Sequence, residues 1–380
     1  MLRSAPRRRA ASAALALLAA LPAVVAAQPA RFRVRAIPTF GGTSSFALDV
    51  NDRGVATGNA QTPLGTAAPR LNALRWDGTT LANLGTLPGS NNFSRGYAIN
   101  DAGVIVGESD NNVPRAFRWE NGAMTDLGTL GGRSAVAHGI NDRGQIVGIA
   151  SNGTASRAFL WENGAMRDLG AADGSADTFA RAWAVDDAGV VVGFSRSTAG
   201  VAQATRWAAG TARSLGSLGT GTLFSEALGV SDAGWIVGRS STGATTQFGT
   251  SIFQAFLWQN GAMVGLDPLG YTFSVANDVN RAGWAVGHGT NVSGLPQGAL
   301  LWQHGAAYDL NARLVRGAGW TLRSAEGVNE RGQIVGYGTF NGQTRGFVLT
   351  PVPEPGTVSL VAAGLVLAAA AGARRARRPG

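Results

Sequence analysis

The chain of 380 residues contains no cysteine, so no disulfide framework and no thiolate metal site can hold it together. Charge is scarce, at 14% of residues, and histidine occurs three times. His138, His288 and His304 fall in different phases of the repeat described below and show no ligand spacing, which argues against a zinc centre. Gly128-Thr129-Leu130-Gly131-Gly132 is glycine-rich but precedes a strand-like run rather than a helix, so it is not a phosphate cradle. A nucleophile elbow is missing too. The sequence therefore assigns no catalytic, cofactor-binding or metal-binding residue. The net charge of +9 suggests nucleic acid until the arginines are located. Eight of the 32 basic residues lie at the two ends, leaving 24 against 22 acids between Gln28 and Thr350. A nucleic-acid footprint requires a basic face, and a nearly neutral body makes a weak case for one, so no nucleic-acid partner is expected.

The terminal arginines fit another purpose. Arg3 to Arg9 form a positive region, Ala10 to Leu21 an apolar one, and Val25-Ala26-Ala27 a small-residue cleavage site. Residues 1–27 thus read as a secretory signal peptide; Arg8-Arg9 keeps a twin-arginine route open beside the general one. At the other end Val352-Pro353-Glu354-Pro355 precedes an apolar run from Thr357 to Ala373, then Arg374, Arg375, Arg377 and Arg378. Seventeen apolar residues are the short limit of a membrane-spanning helix, and the arginines would hold its end in the cytoplasm. A plain membrane anchor satisfies these facts. The order Pro-Glu-Pro, helix, arginines also resembles the PEP-CTERM sorting signal of exopolysaccharide-producing Gram-negative bacteria. That resemblance implies that residues 351–380 are a sorting segment recognised by an exosortase-type membrane protease. The protein would be held transiently in the inner membrane, then released or fixed at the cell surface.

Between the ends, glycine is abundant (55 residues) and regularly placed. Gly139-Ile140-Asn141-Asp142-Arg143-Gly144-Gln145-Ile146-Val147-Gly148 returns in altered form at Asp49–Gly58, Ala98–Gly107, Ala184–Gly193, Gly229–Gly238, Asp278–Gly287 and Gly327–Gly336. The first glycines of the seven copies are 49, 41, 45, 45, 49 and 49 residues apart, a period that marks a repeat architecture. Each unit offers four strand-like runs; in the third these are Ala137–Ile140, Gln145–Ile149, Arg157–Trp161 and Ala165–Leu169. Asn-Asp-x-Gly suits a type I turn closed by a glycine bulge, and Glu162-Asn163-Gly164 is a hairpin turn. Such a unit cannot bury both faces alone, so neighbours must stack. The last unit lacks a fourth strand, while Arg33–Phe40 is spare at the start, and Ile37–Gly42 parallels Leu127–Gly132. These facts predict an all-β, seven-bladed β-propeller over residues 28–350, closed by an N-terminal strand. An open β-solenoid is the alternative.

The runs Arg115-Ala116-Phe117-Arg118-Trp119 and Arg157-Ala158-Phe159-Leu160-Trp161, each after the Asn-Asp-x-Gly turn, resemble the HAF-repeat extracellular proteins. Arg stands where that family's name has His. The likeness implies an exported repeat protein and brings no activity. Turn chemistry accounts for Asp52, Asp101, Asp142, Asp187 and Asp232 better than calcium ligation, because Arg281 and Glu330 occupy the same place in the other copies. The tryptophans that end the third strands read as core rather than a sugar-stacking surface. Glu108, Asp173, Asp177, Glu226 and Glu326 lie away from these turns, and a propeller glycosidase would use two of them, Glu226 or Glu326 first. The long connections Arg239–Gln254, Asp267–Val275 and Asn311–Arg323 share one face, where binding residues are expected. The expected role is a binding or structural component of the extracellular matrix, with extracellular polysaccharide as partner. A coat protein without specific ligand and the glycosidase are the competing readings.

Overall fold

Four short strands recur along the chain because each hairpin turn is encoded locally. The computed structural model describes residues 30–352 except 64–69, 91–92, 111, 175–178, 199 and 292–294. The expected signal peptide, apolar C-terminal run and arginine tail lie outside the described residues. Among the described residues no helix is long and apolar enough to cross a membrane. In the third repeat, strands Ala135–Ile140, Ile146–Ser151, Ser156–Glu162 and Ala165–Asp168 form one antiparallel sheet in sequence order. Gly144 at the first turn has φ 78°, and Asn163 and Gly164 at the last have 54° and 83°, the left-handed values that the Asn-Asp-x-Gly and Asn-Gly signals require.

The architecture is all-β and propeller-like. Five sheets have four strands each and a sixth has eight. The eight-stranded sheet joins the first and second repeats through a single parallel bridge, Leu71 to Phe93. Arg31–Ala36 pairs antiparallel with Gln343–Val352, with Arg33 opposite Thr350 and Ala36 opposite Phe347, so the N-terminal strand completes the C-terminal sheet as the strand count demands. Ile37–Gly42 then makes the same turn as Leu127–Gly132. Thr39 Oγ1 donates to Gly42 O as Thr129 Oγ1 does to Gly132 O, both at 2.9 Å.

No sheet has a core of its own; the apolar clusters lie between consecutive repeats. Ala98, Val106 and Ala116 of the second repeat pack with Ile146 and Phe159 of the third. Val335 and Val348 of the seventh pack with Ile37, Ala47, Leu74 and Trp76 at the start of the chain. Trp76, Trp207 and Trp302 are buried in these seams, as core tryptophans should be. The first strand of each repeat touches the first strand of the next, and Trp320–Val328 touches Ser45–Val50, so the innermost strands form a closed ring. Phe117, Phe159, Phe256 and Phe347, one per repeat on the third strands, are fully buried; each such ring contributes ~2–3 kcal/mol of hydrophobic stabilisation.

One expectation is corrected. Arg239–Gln254 is not an irregular loop: Ile236–Thr245 and Ser251–Gln259 form an elongated hairpin capped by Thr246–Thr250. Pairing runs to Ser241 opposite Phe253, slips, and resumes with Thr245 opposite Ser251.

Candidate functional site

The axis is lined by a position that the repeat sets apart. In every repeat the pairing of the first two strands slips at the residue three before the turn residue, leaving Leu48, Tyr97, His138, Trp183, Leu228, Asn277 and Glu326 as β-bulges. A bulge turns its side chain out of the normal alternation. All seven of these side chains line the middle of the axial channel, a space of about 220 Å³. Each bulge is preceded by Ala or Gly and faces the glycine that ends the repeat. A Cβ at Gly148 would collide with the carbonyl oxygen of Val136, and the same holds for Gly107 against Arg95, Gly193 against Arg181 and Gly238 against Glu226. Close backbone approach, rather than a special φ, demands glycine there.

The narrow end of the channel is built by the Asn-Asp turns, around a space of about 190 Å³. Asn141 Oδ1 accepts from Gln145 N (2.9 Å) within its own turn, while Nδ2 donates to Asp186 O of the next repeat (2.8 Å). Asn51, Asn100, Asn280 and Asn329 do the same, and Asn329 Nδ2 closes the circle on Asn51 O at 2.8 Å. Outside this girdle runs a second one. Asp101, Asp142, Asp187 and Asp232 each accept the backbone N–H of the preceding repeat's turn at 2.7–2.9 Å, and Glu330 N donates to Asp52. Arg281, where an Asp is expected, pairs with the Asp232 carboxylate. The turn acids thus join repeats to one another. Among the described residues no three His, Cys, Asp or Glu side chains are grouped to hold a metal ion. The inner girdle is interrupted at the fourth and fifth repeats. The Asp186 side chain there has no N–H to give, and the buried Ser231 hydroxyl has no partner among the described residues.

Two half-buried carboxyls stand beside the bulges. Asp49 Oδ2 accepts from Ile99 N and Asp278 Oδ2 from Val328 N, each reaching the next inner strand. Burial pushes Asp49 up to about 6; burial, with the Asp49 charge added, pushes Asp278 up to about 7. Burial also drives His138 down to about 3, so its ring is neutral and packs between Tyr97, edge-on at 5.3 Å, and Trp183, tilted at 4.3 Å. On this side the channel is filled: Arg95 donates to Tyr97 Oη, which donates to Glu108 Oε1 at 2.9 Å.

The wide end opens on the side of the fourth to seventh repeats, as a cavity of about 650 Å³. Glu226 is buried there, with Oε1 accepting from the Trp183 indole (2.7 Å) and Oε2 from both Nε and an Nη of Arg239 (3.1 and 2.8 Å). Glu326 shares the cavity; its carboxyl is raised by burial and touches Asn277 Nδ2 at 3.3 Å. His288, held neutral by burial and the Arg239 charge at about 4, bonds Ser324 Oγ. Arg181, Phe253, Phe273 and Tyr337 complete the walls. Thr250, Leu295 and Pro296 from the second-to-third connections of the fifth and sixth repeats also line it, so the wide end lies on the face where long connections were expected. Phe248 on the elongated hairpin and Leu295 stand exposed beside it, at 85% and 69%.

The structure brings Glu226 and Glu326 into one cavity and leaves Glu108 in the filled side; Asp173 sits in a surface loop, accepting from Thr198 N, and Asp177 is outside the described residues. Val352 ends the last strand opposite Arg31, while Pro353, Glu354, Pro355 and the tail arginines lie outside the described residues. Sequence reasoning missed the bulge ring. Its signal was there: one variable column between small residues, next to the constant turn.

No protein-family model matches the chain, and no curated protein does. Solved structures with similar architecture include YCF48 bound to a D1 peptide, at TM-score 0.38 and 12% identity, covering 86% of this chain and 96% of that one. A puromycin-hydrolyzing peptidase of Mycobacterium tuberculosis follows at TM-score 0.43 and 14% identity, over 82% of this chain. The chain spans about half that peptidase's length, 52%. A structure described as a gluconolactonase gives 0.38 and 11%, over 86% and 96%. At these values the likeness concerns the propeller-like fold and extends to no activity.

Proposed function

We propose that this is an exported seven-bladed β-propeller of the HAF-repeat kind, sorted to the cell surface through residues 351–380 by an exosortase-type protease. Its role is non-enzymatic: it binds extracellular polysaccharide at the wide end of its axis, as a component of the matrix. Counting the first and second repeats as separate blades, joined by one bridge, gives the seven. The observation that carries the binding reading is the wide cavity itself. It is concave and lined by aromatic and polar side chains on paired strands, the ordinary character of a ligand site. Glu226 is fully engaged by Arg239 and Trp183, which suits a positioning role better than proton transfer. The test is retention on polysaccharide from the native host. Trp183→Ala should lose retention while still folding cooperatively, with a lower melting temperature from the lost Glu226 bond; equal retention would remove the cavity from the reading and favour a coat protein without specific ligand.

The co-location of Glu226 and Glu326 favours a glycosidase as the second reading. Release of reducing sugar by the intact protein, abolished in Glu326→Gln, would establish it. Intact-mass measurement on host material tests the sorting proposal separately: loss of residues 1–27 and of the terminal arginines is expected. Retention of those arginines in all molecules would leave a plain anchor.

A further inference from the structure

Two guanidinium groups and one fully engaged carboxylate meet at the wide end. Glu226 receives three donors: the Trp183 indole, and Nε and one Nη of Arg239. Arg181 is left over. It pairs with no carboxylate among the described residues, and its buried Nε has no hydrogen-bond partner. A buried, unsatisfied charged donor is unfavourable and calls for a reason. Arg181 is nonetheless held in place, with its guanidinium carbon 4.9 Å from the Trp183 ring centre and 5.8 Å from that of Phe179. Stacking on aromatic faces leaves the in-plane edge of a guanidinium open, the edge that forks a carboxylate through two N–H groups.

Glu226 acts on Arg181 through its charge, but its oxygens are taken by Trp183 and Arg239, and no carboxylate among the described residues bonds the Arg181 guanidinium. Glu326 is shifted toward its neutral acid by burial and lies against Asn277, and His288 is neutral. Phe253 and Phe273 offer apolar wall beside these polar groups, the mixture that suits a sugar ring with its polar edge and apolar face. We propose that Arg181 is the anion-reading residue of the wide cavity, and that the ligand is an acidic oligosaccharide whose uronic-acid carboxylate it binds. The proposal rests on the binding reading above and narrows it to a substrate class.

Calorimetric titration with trigalacturonic acid and with its fully methyl-esterified form tests this on the wild-type protein, because esterification removes charge and keeps the sugar backbone. The acid should bind at least ~10-fold more tightly than the ester, the difference shrinking as salt is raised. Arg181→Gln should lower the acid to the level of the ester without weakening the ester, and Arg181→Lys should restore part of the preference. Equal binding of acid and ester by the wild type overturns the proposal, as does an Arg181→Gln variant that weakens both alike. Failure of the wild type to bind the acid also overturns it. The binding reading is then judged on its own by retention of Trp183→Ala on host polysaccharide.

Discussion

Replacing Asp278 by Asn should change how stability depends on pH more than it changes stability itself. Asp278 is half-buried beside the axis, and its carboxyl oxygens accept from Val279 N (2.8 Å) and Val328 N (2.9 Å). Burial, reinforced by the Asp49 charge, raises it from 3.8 to about 7. A raised folded pKa means that the native protein keeps a proton that the unfolded chain has released. This contribution is fully present below about pH 4, declines as pH rises and is lost above about pH 7. At ~1.4 kcal/mol per unit, the span corresponds to roughly 4 kcal/mol. Asn cannot titrate, but its amide nitrogen leaves one of the two backbone donors without an acceptor, costing about 1–3 kcal/mol at every pH. The variant should therefore be the less stable protein at pH 4 and equal or exceed wild type at pH 8. Urea melts of both proteins at unit steps across this range measure the difference directly. His138 and His288 are common to both proteins and cancel to first order, whereas Asp49 loses a charged neighbour in the variant, so the pair is compared in an Asp49→Asn background as well. Parallel curves would refute the assignment of a proton to Asp278.

The same physical reading makes further predictions. Gly148→Ala should destabilise by at least ~3 kcal/mol or prevent folding, because its Cβ meets the Val136 carbonyl; Gly144→Ala, at φ 78° with nothing within 4 Å, should cost only about 1–2 kcal/mol. Equal losses in paired chemical melts would contradict the bulge account. Ser231→Asn should supply the missing donor of the inner girdle to Asn280 O and stabilise by ~1 kcal/mol, read as a rise in urea midpoint. Deleting residues 28–40 removes the strand paired with Gln343–Val352 and should cost most of the stability and promote self-association, seen by light scattering. A truncated protein that stays monomeric and melts like the intact one would remove the closure argument.

Much of the fold was legible because the information that encodes it is local. Asn-Asp-x-Gly fixes a turn through its own side chain and a left-handed glycine, so it can be read from four residues. The spare strand at the start and the missing one at the end are a count, and counting needs no coordinates. What the turn does beyond itself was not legible. Asn141 reaches a carbonyl 45 residues away and Asp142 accepts from Asp101, contacts that exist only once the repeats stand side by side. Arg239–Gln254 exceeds the repeat's usual spacing and so reads as a loop, yet Ser241 and Thr245 still pair across it with Phe253 and Ser251.

The candidate site was hidden for a different reason. Strict alternation assigns every second residue of a strand to one face, and under that rule His138 is merely out of phase with His288. The bulge breaks the rule at one residue per repeat and turns that residue to the axis. Its neighbours are constrained: small residues before it, and a glycine opposite where any Cβ would strike a carbonyl. The bulged residue lines the channel outside the apolar seams, so seven repeats could diverge there to Leu, Tyr, His, Trp, Leu, Asn and Glu, although His138, Trp183 and Asn277 also bond the next repeat. Constancy around a variable column separates what holds the ring from what faces its interior. Glu326 and Trp183 are therefore places where this chain can vary the lining of its channel within a constant frame.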